Sequence, residues 1–186
     1  MTATKLFGAV GVAVGLTIVP IGVTGAASAD APVRFHEEFT DIIDDYCDVP
    51  GLTVRSDVVV DGKTRVRQRA GFMEQVNGTF VDTNVDNGKA ISGAFHTIQK
   101  ALHATDNGDG TSTVLFLATG NDVTYGPDGK AIARNPGQIR FEVLIDNNDT
   151  PNDPSDDEFI AMLDVVKEST GRSDDFCAAA VPALTD

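Results

Sequence analysis

Thr79-Phe80-Val81-Asp82-Thr83-Asn84-Val85, then Asp86-Asn87-Gly88, then an alternating run from Lys89 to Ala104, Asn107-Gly108-Asp109-Gly110 and Thr113-Val114-Leu115-Phe116-Leu117-Ala118-Thr119 follow one another along the chain. Asn-Gly and Asp-Gly place residues that tolerate positive φ between β-prone runs, the strongest short-range hairpin signal. The centre of the chain therefore reads as an antiparallel meander of about three strands. The long run from Lys89 to Ala104 puts Ile91, Phe95 and Ala101 on one face and Ala94, Ile98 and Leu102 on the other. Both faces are partly apolar, which predicts a bend or bulge, and Gly93 is the expected place for it.

Working outward, the run from Val33 to Ile43 reads as a first strand with Phe35, Glu37, Phe39, Asp41 and Ile43 on one face. Pro50-Gly51 ends the turn that follows. Leu52 to Val60 and Thr64 to Ala70 are expected to form a hairpin around Asp61-Gly62, with Gly71 to Gly78 as a connection. Arg65, Arg67 and Arg69 then make one stripe, either an anion grip or a solvated outer face. On the other side, Asp128-Gly129 marks a turn, and Gln138 to Asp146 is a strand with Ile139, Phe141, Val143 and Ile145 inward. The segment from Glu158 to Lys167 fits both periods. Ser155 and Glu158 spell a helix capping box, yet Phe159, Ala161, Leu163 and Val165 make one strand face. Closing a barrel favours the strand. Ser173-Asp174-Asp175 caps a short C-terminal helix. The expected fold is mainly β: a single antiparallel barrel of about eight strands, of lipocalin-like or allene-oxide-cyclase-like architecture, with that helix. The chain has no Trp, so the lipocalin Gly-x-Trp signature is absent.

Residues 1–29 read as a signal peptide: Lys5, an apolar stretch from Leu6 to Val23, and the Ala27-Ser28-Ala29 cleavage site. The expected mature chain is one secreted domain, residues 30–186, extracellular and free of the membrane after cleavage. A formal net charge of −14 disfavours nucleic acid and anionic lipid as partners. The two cysteines, Cys47 and Cys177, read as one disulfide, since a lone even pair in an exported chain has neither Cys nor His neighbours at metal-ligand spacing. Closing so long a loop removes on the order of 5 kcal/mol of unfolded-state entropy.

No sequence pattern specifies a reaction. Gly-x-Ser-x-Gly, His-Glu-x-x-His, P-loop and dinucleotide motifs are all missing. The three histidines are His36, His96 and His103, and a regular strand puts the last two on opposite faces unless a bulge lies between them. The loop from Asp146 to Asp157 offers hard oxygen donors, so Asp146, Asn148, Asp153 and Asp157 form a candidate Ca²⁺ site, with Asp149 and Asp156 beside them. Against the EF-hand pattern, Pro151 stands where the turn glycine belongs and Asp157 where a bidentate Glu is wanted.

Several stretches resemble a group of small secreted actinobacterial proteins of uncharacterised function. They are Thr83 to Lys89 with Ser92-Gly93, Ala118-Thr119-Gly120, Ile145-Asp146 leading into Thr150 to Asp157, and Ser169 to Cys177. The resemblance implies an exported β-barrel domain closed by one disulfide. It carries over no catalytic residue and no cofactor. The functional expectation is a secreted, non-enzymatic barrel that binds a small apolar ligand or meets a partner through its surface. The alternatives are a cyclase- or isomerase-type enzyme using a His or buried carboxylate in the barrel mouth, and a Ca²⁺-stabilised structural module.

Overall fold

The structure, a computed structural model, describes residues 31–67, 71–150 and 156–186. Eight strands form one antiparallel sheet: β1 (Val33–Ile43), β2 (Val54–Arg67), β3 (Gly71–Asn84), β4 (Ala90–Asp106), β5 (Thr111–Tyr125), β6 (Ala131–Arg134), β7 (Gly137–Asp146) and β8 (Glu158–Lys167). A 3-10 turn spans Tyr46–Asp48, and helix α1 spans Phe176–Thr185. The order is β1-β2-β3-β4-β5-β7-β8, with β6 also on β5. β6 pairs with residues 123–125 of β5 and β7 with residues 111–120, so the two are one returning strand interrupted at Asn135-Pro136. Pro136 has no N–H to give a ladder, which explains the interruption. Taking β6 and β7 as that one returning strand, successive strands are neighbours across the sheet, as the hairpin signals around Gly88 and Gly108 predict.

The register assigns faces. Phe35, Val60, Gly78, Phe95 and Asp122 lie on the concave face with Val54, Val58 and Phe80, and the partners one residue away lie on the convex face. Two separate apolar cores sit on the concave side. The first gathers Tyr46, Val54, Val58, Phe80 and Ile91 under Phe176, Ala180 and Leu184 of α1. The second gathers Val114, Phe141, Val143 and Ile145 at the opposite end of the strands. The inward set expected on β7 is buried there, apart from the partly buried Ile139.

Three sequence expectations are corrected. Asp61-Gly62 makes no turn: β2 runs straight through it, and its ladder with β3 continues to Arg67 and Gly71, which pair. Gly71 to Gly78 is strand, not connection. The bulge of β4 falls at Leu102, between Ala101 and His103, and not at Gly93. The reason is common to all these glycines. Gly62, Gly78 and Gly93 stand directly opposite Phe35, Phe95 and Phe80, and a Cβ on them would collide with the ring. They are glycine so that a cross-strand ring can lie flat across the strand, a pairing that rescues an otherwise weak strand position.

The expected closure is the part of the fold for which no ladder exists. Among the described residues none joins β1 to β8, so the sheet has two edges. Both edges carry devices that oppose further pairing. β1 turns the charged Glu37 and Asp41 toward the concave side. On β8, Glu158, Phe159, Ala161, Met162, Asp164, Val165 and Lys167 pair with β7, leaving Ile160, Leu163 and Val166 as three extra residues in ten. These bulged residues are 48, 48 and 54% exposed. A strand with one bulge every third residue satisfies apolar spacing at i and i+3 as well as at i and i+2, which is why this segment reads as helix and strand at once.

Gly93→Ala is expected to cost about 1–3 kcal/mol, because the buried Phe80 and the Val123 carbonyl leave no room for a methyl group. Gly62→Ala is expected to cost less, because Phe35 is only partly buried and can swing away. Urea unfolding of both variants checks this; two negligible costs would mean that the rings do not cover these glycines.

Candidate functional site: a polar cleft between two apolar cores

Between the two cores the concave face carries a few polar side chains among glycines and apolar residues. One row across the sheet reads Thr64, Glu74, Gln99, Ala118, Ile139, and the next reads Gly62, Val76, Thr97, Gly120, Gly137. A third reads Val60, Gly78, Phe95, Asp122. Phe35 and Phe95 edge this strip on the side of the first core, and Phe116 on the side of the second. Phe72 reaches across β4 to Phe116 with ring centroids 6.0 Å apart, and Phe116 stacks on Phe141 at 5.7 Å. The strip is thus a short stretch of one sheet face with few polar groups, flanked by aromatic rings on both sides.

Two carboxylates in it are partly buried. Burial raises the Glu74 pKa, Thr64 opposes that through its hydroxyl, and the charge of Glu37 adds to the rise. The Thr64 hydroxyl donates to Glu74 over a long 3.4 Å. Burial likewise raises Asp122, opposed by Asn135, whose Nδ2 donates at 3.4 Å. Neither has a basic partner among the described residues.

The strand Lys and Arg residues keep to one face, whereas strand acids stand on both, with Glu38, Asp57, Asp61, Glu142, Asp146, Glu158 and Asp164 on the convex one. Arg34 on β1, Arg55, Lys63 and Arg65 on β2, Lys100 on β4, Arg134 on β6, Arg140 on β7 and Lys167 on β8 all take convex positions. Glu37, Asp41, Glu74, Asp82, Asp106 and Asp122 take concave ones. Of the expected arginine stripe, Arg65 lies on the convex side; the side chain of Arg67 and all of Arg69 lie outside the described residues.

At the end closed by α1, Asp82 is 3% exposed and accepts a hydrogen bond from the Tyr46 hydroxyl at 2.5 Å. Asp82 Oδ1 and the hydroxyl of Ser56, its cross-strand partner, are buried without a hydrogen bond of acceptable geometry among the described residues. Burial raises the Asp82 pKa; Ser56 and Tyr46 oppose the rise, and Asp57 adds to it. Burial, together with the Asp82 charge, raises Tyr46 as well, so the phenol stays protonated and donates. Cys47 and Cys177 are joined as expected, with Cα atoms 5.5 Å apart. The turn that carries Cys47 holds Asp45, Cys47 and Asp48 at φ 50, 56 and 58°, a left-handed conformation that costs non-glycine residues energy. Tyr46, anchored below on Asp82 and in the backbone on Leu52, holds it.

The histidines do not reach the cleft. The bulge at Leu102 puts His96 and His103 on the same convex face, six paired positions apart, too far to share a ligand. His36 sits between Asp61 at 2.9 Å and Glu38 at 3.2 Å, exposed, and those hydrogen bonds raise its pKa. His36, Asp61, Asn77, His96 and Asn121 form one convex row across five strands, legible only once the register is known.

In the candidate Ca²⁺ loop, Asp146 Oδ1 accepts from the Asn148 N–H at 2.9 Å, and Asp156 accepts from the Thr150 hydroxyl at 2.9 Å. Asn147, which sequence reasoning passed over, is buried and ties the loop to Ser112 at 2.8 Å. Asp157 is also engaged, and Asp153 lies outside the described residues. Among the described residues no three His, Cys, Asp or Glu side chains come together as a metal group. Likewise, no helix among them is long and apolar enough to cross a membrane.

Comparison with known protein families, curated proteins and solved structures finds no match to this chain.

Because burial raises the Asp82 pKa, the folded chain holds that proton more tightly than the unfolded chain does. Its charge therefore weakens folding at neutral pH, and the weakening is relieved as pH falls through the raised titration toward the ordinary carboxylate range. Asp82→Asn keeps an acceptor for Tyr46 and removes the charge. The variant is expected to be more stable than the natural chain at neutral pH, with the gain shrinking at mildly acid pH. Urea unfolding at the two pH values measures it; an unchanged difference would show that Asp82 does not titrate across that window.

Proposed function

We propose that this chain is an exported, non-enzymatic β protein that holds a small apolar or amphipathic molecule in the cleft between its two cores. The observation that carries the reading is the strip itself: aromatic side chains on both sides of a few polar groups, on one face of one sheet. Export is supported by the signal-like residues 1–29, by the resemblance to small secreted proteins and by a disulfide, a bond that persists in oxidising compartments. The reading needs only the concave face. It holds with the seam between β1 and β8 open, and equally if the two edges close into a barrel around a ligand.

An enzyme of the cyclase or isomerase type is the second reading. It has one observation in its favour, the raised pKa of Glu74 and Asp122, since such groups serve as general acids or bases near neutral pH. It would run on those carboxylates, because all three histidines stand on the convex face. A Ca²⁺-stabilised loop would need Asp153 in addition to the groups already bonded within it.

Native mass spectrometry of protein purified from the culture fluid of its own host tests the ligand reading. The expected spectrum shows a mature chain starting at Asp30 with a retained small-molecule adduct, lost on partition into organic solvent. A bare chain that also fails to take up a lipophilic probe would overturn the reading.

A further inference from the structure

We propose that the convex face binds an acidic polysaccharide chain, laid across the strands along a band of lysines and arginines. The inference is independent of the ligand reading, since it uses the opposite face of the sheet. The band consists of two adjacent convex rows. One reads Arg34, Lys63, Gln75, Ile98, Thr119 and Gln138, from β1 to β7. The next reads Arg65, Met73, Lys100, Leu117, Arg140 and Lys167, from β2 to β8. Half of these positions are cationic and none is acidic, in a chain with 14 Lys and Arg against 28 Asp and Glu.

The state of these cations is a second observation. Arg34 stands directly opposite Lys63, and Arg140 directly opposite Lys167. Like charges so placed oppose the pairing of their strands. None of the six cations forms an ion pair or a side-chain hydrogen bond among the described residues, whereas Arg55, Lys130 and Arg172 each hold an acid two residues away. The Arg65 Nε is withdrawn from solvent and still has no acceptor. The fold keeps positive charge and donors in line and gives them no partner of its own.

The shape of the band selects what it fits. The second row spans about 24 Å, five steps of about 4.8 Å between strands, and the two rows lie about 7 Å apart. Asp61 borders the band on one side, and Glu142 and Asp164 border it on the other. A broad anionic surface, such as a membrane or a nucleic-acid duplex, would meet those acids and the net charge of −14 behind them. A single chain lying along the band avoids them. Met73, Ile98 and Leu117 between the cations give the bases of a single-stranded nucleic acid no ring to stack on. An acidic polysaccharide needs none: its carboxylates or sulfates ask for Arg and Lys donors along a line. Such polymers are met outside the cell, where the export reading places the chain.

The test is isothermal titration of the mature protein with an octamer of galacturonic acid at low salt. Binding is expected, weakening as salt is raised, and a neutral glucose octamer should not bind. Lys100→Gln/Arg140→Gln/Lys167→Gln is expected to weaken the acidic octamer about tenfold. Arg34→Gln/Lys63→Gln, at the other end of the band, should weaken it too and keeps the test independent of how the first variant folds. Arg55→Gln/Lys130→Gln/Arg172→Gln removes as much positive charge outside the band and should leave binding nearly unchanged. No binding of the acidic octamer would overturn the proposal, as would an equal loss in both triple variants, which assigns the effect to the charge of the whole chain. Tighter binding of oligothymidylate or of phosphatidylglycerol vesicles would also overturn it, giving the band to a nucleic acid or to a membrane.

Discussion

The bond between Cys47 and Cys177 decides what the concave face becomes. Helix α1 is short, and Pro182 within it removes one of its backbone donors, so it has little stability of its own. It stays because one end is covalently tied to the turn after β1 and the other is received by the β3–β4 turn. There Asn84 and Asn87 donate to the Leu184 carbonyl at 3.2 and 2.9 Å. Its N-terminus is capped by Asp175, which accepts from Ala178 at 3.0 Å. So placed, the helix sets Phe176 against Tyr46 and Phe80, with centroids 6.3 and 6.4 Å away, and completes the first core. Remove the helix and Val54, Phe80 and Ile91 face water. Keep it, and one end of the concave face is filled.

The rest of the concave face follows from the glycine–phenylalanine pairs. In two adjacent pairs on β3 and β4 the ring comes first from one strand and then from the other: Phe95 over Gly78, Phe80 over Gly93. Rings lying flat bring apolar surface close to the backbone and spare the interior the volume of a standing side chain. With the first core packed in this way and the second held by Val114, Phe141 and Val143, the polar strip between them is neither core nor outer surface. Its carboxylates are therefore dry enough to shift their titration without being paired, and charge of the opposite sign is kept on the convex side.

Much of this was legible in the sequence, and the failures have physical causes. The central meander was readable because Asn87-Gly88 and Asn107-Gly108 occupy tight turns, with Gly88 and Gly108 at positive φ. Asp61-Gly62 carries the same letters but extends, since the demand on Gly62 comes from the ring of Phe35, a residue far away in sequence. Local pattern cannot see that. The strand at Glu158 was ambiguous because three bulges mix its period. Cys47 and Cys177 were readable as a pair from number alone. The cleft was not: Thr64, Glu74, Gln99 and Asp122 come from four strands, and only the register makes them neighbours. The faces of His96 and His103 depended on the same thing, since the one bulge at Leu102, the condition on which they could share a face, reverses the face of everything beyond it.

The central claim, that the strip between the two cores is a binding surface, is tested most directly by NMR shift mapping of the mature protein with decanol. The account predicts perturbations at Phe72, Glu74, Gln99, Phe116 and Asp122, with the convex row of His36, Asn77 and His96 unmoved. Shifts confined to that convex row, or to Ile160, Leu163 and Val166 on β8, would contradict it.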